Sequence, residues 1–172
     1  MRFALALVLI ATAFLPQAEP AIAQSSSASP ITELILERGP CFGTCPIYRI
    51  SLRSDGTAKY TGWSNVERVG VYTGSIAPDA FMRLAQEVEA SGFWEFQESY
   101  LQPVNDLPVV RTTARREDAK RKVIRDHGAV GVPAVQGPEE LLRIQAAIDR
   151  VAAEVSWELT SESPGLLRPG AL

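Results

Sequence analysis

The order of two hydrophobic periods constrains this chain more than any single motif. Apolar residues recur first at every second position, then at helical spacing, and then the same two periods repeat. Ile31 to Glu37 is short, rich in branched apolar residues and closed by Gly39-Pro40, as a strand is. From Pro46 to Arg53, Tyr48, Ile50 and Leu52 alternate with polar residues, the period of a half-buried strand. Ser54-Asp55-Gly56 then turns the chain. A two-residue Asp-Gly turn would pair Leu52 with Lys59, whereas a three-residue loop with Gly56 left-handed pairs Leu52 with Ala58 and Ile50 with Tyr60. Apolar parity selects the longer loop. A further strand is expected from Val66 to Ile76, with Gly70 and Gly74 permitting strong twist.

Pro78 and Asp79 then open a helix that carries Phe81, Leu84, Ala85 and Val88 on one face and stops at Gly92. Phe93, Trp94 and Phe96 follow directly and are placed to cap the core where helix meets sheet. Val109 to Ala114 and Lys122 to Arg125, joined by the polar stretch Arg115 to Arg121, read as a second, basic hairpin. A last helix opens at Pro138-Glu139-Glu140, with a stripe of Leu141, Ile144, Ile148, Val151, Ala152 and Val155, and ends near Trp157. Strands, helix, strands, helix, with no strand-helix-strand alternation, predict an α+β fold: an antiparallel sheet of about five strands with two amphipathic helices on one face.

The ends carry other signals. Arg2, the apolar run from Phe3 to Leu15 and the small residues around Ala21-Ile22-Ala23 have the pattern of a secretory signal peptide, with cleavage expected after Ala23. That run is too short to span a bilayer, and no later segment approaches the ~20 apolar residues a transmembrane helix needs. The expected organisation is a signal peptide (1–23), a linker (24–30), one domain (31–157) and an unstructured tail (158–172), in a periplasmic or secreted protein. The net charge of −3 names no partner, but its distribution is uneven. Arg111, Arg115, Arg116, Lys120, Arg121, Lys122 and Arg125 face only Glu117, Asp118 and Asp126 within the stretch 111–127.

Cys41-Phe42-Gly43-Thr44-Cys45-Pro46 is the one local motif with chemical content. In an oxidising compartment a pair of cysteines normally bridges, and Gly43 gives the backbone freedom that so small a ring needs. The entropy gained from a ring of ~5 residues is modest, roughly 2 kcal/mol. Two other readings stand beside this one. A redox-active pair is possible in principle, with Arg38 and Arg49 available to stabilise a thiolate, although the spacing is C-x-x-x-C and no thioredoxin-like pattern surrounds it. A metal site would need more soft ligands than one imidazole, His127, can add.

The run Gly39 to Tyr48, followed by Asp55-Gly56 and Tyr60, resembles the signature of a bacterial exported domain family of unknown function. Asp106-Leu107-Pro108, Lys122-Val123, His127-Gly128 and the helix with Leu142 and Ile148-Asp149 are similar to its second half. The family usually has a short glycine-containing turn in the second hairpin, where this chain has Arg115 to Ala119. The resemblance implies paired cysteines and domain limits near Ile31 and Trp157; it implies no catalytic residue, ligand or cofactor.

No nucleophile elbow, zinc-protease helix, P-loop or dinucleotide fingerprint is present in the sequence. His127 beside Asp126 reads as a turn histidine rather than a base with its orienting partner, because adjacent residues rarely orient each other. The expectation is therefore a non-enzymatic, disulfide-stapled binding or structural accessory domain without cofactor or metal, the alternative being a thiol-disulfide redox protein using Cys41 and Cys45. The basic hairpin is the candidate binding element, for an anionic envelope component or an acidic protein. Its other reading is an edge whose charges suppress aggregation. An exported location and overall negative charge argue against nucleic acid.

Overall fold

Parity built the sheet as the sequence suggested, and then extended it. A computed structural model describes residues 30–129 and 136–165, so the expected signal segment and all of the linker but Pro30 lie outside the described residues. Strands β1 (Ile31–Arg38), β2 (Ile47–Arg53), β3 (Thr57–Ser64) and β4 (Gly70–Ser75) form an antiparallel meander. Helix α1 (Pro78–Ala90) and a 3-10 turn (Phe93–Glu95) lead to the hairpin β5 (Val110–Arg116) and β6 (Arg121–Asp126). Helix α2 (Glu139–Ala153) carries the chain back to β7 (Glu158–Ser161). The seven strands lie in the order β6-β5-β1-β2-β3-β4-β7, every neighbouring pair antiparallel.

The first hairpin has the expected register: Leu52 faces Ala58, Ile50 faces Tyr60, and Gly56 has φ 86° in the loop. With this pairing Leu34, Leu36, Ile50, Leu52 and Ala58 share one face and are all buried. Val110, Ala114 and Ile124 continue that face across β5 and β6. Phe81, Leu84 and Val88 from α1 and Leu141, Ile144 and Ile148 from α2 close over it, with Phe93 fully buried beside them. Each such side chain stabilises the fold by roughly 1.5–3 kcal/mol through loss of apolar surface to water. A bulge between Ile31 and Glu33 shifts the β1 to β5 register by one, which returns Ile31 to the core side opposite Arg116.

The structure departs from four expectations. Among the described residues the antiparallel sheet has seven strands, somewhat more than the about five expected. The strand expected from Val66 to Ile76 begins only at Gly70, because the chain turns through Asn65 at φ 55° before it can pair again. The tail expected from residue 158 begins with β7, and the last helix ends at Ala153 rather than near Trp157. The room for β7 comes from β4: a Cβ at Gly70 would lie 2.6 Å from the Ser161 carbonyl oxygen, and one at Gly74 2.8 Å from that of Ser156. Two glycines on β4 thus admit a strand whose own sequence gave no apolar pattern.

Candidate functional site

The disulfide loop and three distant segments meet at one end of the sheet. Cys41 and Cys45 are bridged, with Cα atoms 5.8 Å apart, between the end of β1 and the start of β2. Backbone N–H groups of Gly39 and Phe42 donate to the carbonyls of Val109 (2.9 Å) and Asp106 (3.2 Å), and Asn65 Nδ2 donates to the Cys45 carbonyl (3.0 Å). The two arginines that could have stabilised a thiolate are engaged elsewhere. Arg38 donates from Nε to Tyr48 (2.7 Å) and from Nη2 to Asp149 (2.8 Å), and Arg49 pairs with Glu37 (3.3 Å). Tyr48 closes a triangle by donating to Asp149 Oδ1 at 2.7 Å, and its phenol is held well above the usual range, chiefly by burial.

His127 is built into this end as structure. Its Nε2 accepts from the Gln102 backbone N–H (3.0 Å), so the proton sits on Nδ1 and is donated to the Pro108 carbonyl (2.9 Å). Both ring nitrogens are used and the residue is 2 % exposed, which leaves no lone pair for a substrate. Asp126 points to the opposite side of β6 from solvent. Its Oδ1 accepts from Gln145 of α2 at 2.9 Å, and burial pushes its carboxyl above the ordinary range despite that bond and the Gly128 backbone N–H beside it.

The basic hairpin does not form one patch. Alternation along β5 and β6 sends Arg116 and Lys122 to the helix side and Arg111, Arg115, Arg121 and Arg125 to the other face. On the helix side Arg116 lies over the Trp94 ring at 4.3 Å and donates to Glu89 of α1 (2.7 Å). Lys120, in the turn, sits 5.0 Å from the same ring, and Lys122 Nζ donates to the Trp94 carbonyl. The turn itself reaches from Glu117 to Lys120, with Ala119 at φ 64° where a glycine would suit the left-handed backbone.

The opposite face of the sheet is covered by no helix among the described residues. It gathers Arg111, Arg115, Arg121 and Arg125 with Arg49 and Arg53 of β2 and Lys59 of β3, against Glu33 and Glu37 of β1. Ile35, between those glutamates, is still only 2 % exposed, as the stems of long charged neighbours can cover it. Glu33 receives Arg115 (3.0 Å) and Arg53 (3.6 Å). Arg111 stands directly opposite Arg125, and Arg115 opposite Arg121. Among the described residues, Arg111, Arg121 and Arg125 make no side-chain ion pair, and Arg111 Nη1 is buried without a hydrogen-bond partner. Sequence reasoning named Arg49 only beside the cysteines and missed Arg53, Lys59, Glu33 and Glu37. The signal was present as parity, since Leu34, Leu36, Ile50 and Leu52 in the core put their odd-numbered neighbours on the far face.

A family described as a domain of unknown function, DUF6438, matches residues 32–152. The chain belongs to this family. No curated protein and no solved structure matches it. No helix among the described residues is long and apolar enough to cross a membrane.

Proposed function

We propose, for this member of the DUF6438 family, an extracytoplasmic and non-catalytic binding role in which the open face of the sheet takes an anionic partner. The observation that carries this reading is the pair of cross-strand arginine contacts, Arg111 with Arg125 and Arg115 with Arg121. Like charges directly opposite each other on a sheet are unfavourable, and only two carboxylates of β1, Glu37 opposite Arg111 and Glu33 opposite Arg115, stand against these four guanidinium groups. An anion between them removes the repulsion, and the guanidinium fork suits phosphate, sulfate and carboxylate oxygens. The arginines also stand on β6, β5 and β2, with the glutamates of β1 between them, so they are not confined to the edge that an anti-aggregation role requires.

The disulfide serves this reading as a staple at the end of the face. A cycling redox pair gains no support from its surroundings, where Arg38 and Arg49 are held by carboxylates. Retention on a sulfated dextran column across a salt gradient tests the binding role. A protein of net charge −3 should be retained only if its cations are segregated on one face. Replacing Arg111, Arg121 and Arg125 together by alanine should bring elution to markedly lower salt. Passage of the unmodified protein without retention, or equal elution of the triple variant, would sink the reading.

A further inference from the structure

The disulfide loop presents its aromatic residue to solvent and is held so that it must. Phe42 is 89 % exposed, in a ring closed by Cys41 and Cys45. Its own N–H is tied to the Asp106 carbonyl, the Cys45 carbonyl is tied to Asn65, and Gly39 at the base is tied to Val109. A loop pinned at these points cannot fold its phenyl ring inward, and its ordering cost has been met before any partner arrives. Val104, two residues before the Asp106 carbonyl that holds Phe42, is a second exposed apolar side chain at 42 %.

The place of this tip in the fold indicates what it meets. The loop joins the end of β1 to the start of β2, which is the end of the sheet where Arg49, Arg111 and Arg125 stand. The carboxylates at this end include Asp106, Glu67 and Glu98, which are exposed, Glu37 with Arg49, Asp149 with Arg38, and the buried Asp126, against the cations Arg38, Arg49, Arg68, Arg111 and Arg125. An outward aromatic ring next to a cationic face is the chemistry of an interfacial anchor: the ring enters the boundary between headgroups and acyl chains, and the arginines meet headgroup phosphates.

We infer that the anionic partner is a lipid bilayer surface, met by the arginines of the open face and entered by Phe42 of the disulfide loop. The inference rests on the binding role proposed above and adds the source of the anion. A soluble polyanion gives no use to a fixed, solvent-facing phenyl ring, whereas a bilayer does.

The test uses the purified protein with its disulfide intact, and vesicles of phosphatidylcholine with or without phosphatidylglycerol. The unmodified protein should sediment with the phosphatidylglycerol vesicles only and be released by salt. F42A should lower that partitioning about tenfold, from the loss of one inserted aromatic ring, while its elution from sulfated dextran stays unchanged. F42W should show a blue-shifted emission with the anionic vesicles alone. Normal partitioning of F42A with no emission shift of F42W overturns lipid insertion. So does the absence of vesicle binding by a protein that sulfated dextran still retains, which leaves the arginine reading standing. Loss of retention on the dextran as well removes both.

Discussion

Arg115 and Arg116 are neighbours in the chain and opposites in the fold. Arg116 is sandwiched against Trp94, donates to Glu89, and its side chain is 5 % exposed; Arg115 is 47 % exposed and shares Glu33 with Arg53. The same division runs through the hairpin, with Arg116, Lys120 and Lys122 gathered on one tryptophan and Arg111, Arg121 and Arg125 left without ion pairs among the described residues. The difference teaches that a run of charge in a strand is two half-runs in space. The half facing the helices holds α1 to the sheet, and the other half stands on the open face.

The sharpest test of that division compares Arg116→Ala with Arg111→Ala in urea denaturation. Losing Arg116 removes a buried charge pair, a cation–π contact and packing at once, and should destabilise by about 2 kcal/mol. Losing Arg111 should change stability by no more than about 0.5 kcal/mol, because it removes both the attraction to Glu37 and the repulsion from Arg125 on either side. Equal costs would break the comparison.

A smaller effect is expected from the buried carboxyl behind the hairpin. Asp126 has its folded-state value raised by burial, so the native state keeps a proton that the unfolded chain has already lost. Stability is therefore greatest below the unfolded carboxylate value and declines as pH rises through the folded one. Asp126→Asn should flatten the stability profile above the unfolded carboxylate value of about pH 4. Parallel profiles for the two proteins would mean that Asp126 is ionised throughout.

At the tip of the same hairpin, Ala119→Gly should stabilise by about 1 kcal/mol, since Ala119 is left-handed at φ 64°. A thermal midpoint that falls instead would show that the turn adopts another conformation. The smallest effect distinguishes stability from binding. Arg125→Glu replaces a repulsive cross-strand pair by an attractive one with Arg111, and should stabilise by roughly 0.5 kcal/mol. The same change should weaken retention on sulfated dextran, so the two readouts move in opposite directions.

Much of the fold was legible because burial imposes parity. Leu52 had to share a face with Ala58 and Ile50 with Tyr60, and that requirement alone selected the three-residue loop now seen with Gly56 left-handed. The helices were legible for a similar reason, through Phe81, Leu84 and Val88 and through Leu141, Ile144 and Ile148. The strand β7 was not: its residues are all exposed, and nothing apolar in Glu158–Ser161 marks a pairing that depends on the space left by glycines in β4. The site was half legible. The hairpin arginines stood out as a cluster, but their partners on β1 and β2 lie some 60 to 80 positions away in the chain.

The sequence by itself determined the elements, the first hairpin's register and the presence of an exposed basic strand pair, since periodicity and turn residues act over a few positions. Only the tertiary structure decided which arginines share a face, that β5 inserts beside β1, that His127 spends both ring nitrogens on backbone groups, and that Phe42 stands outward beside the cationic end. Those outcomes depend on which distant strands become neighbours. That choice is made by burial of the whole apolar face at once, and no local pattern encodes it.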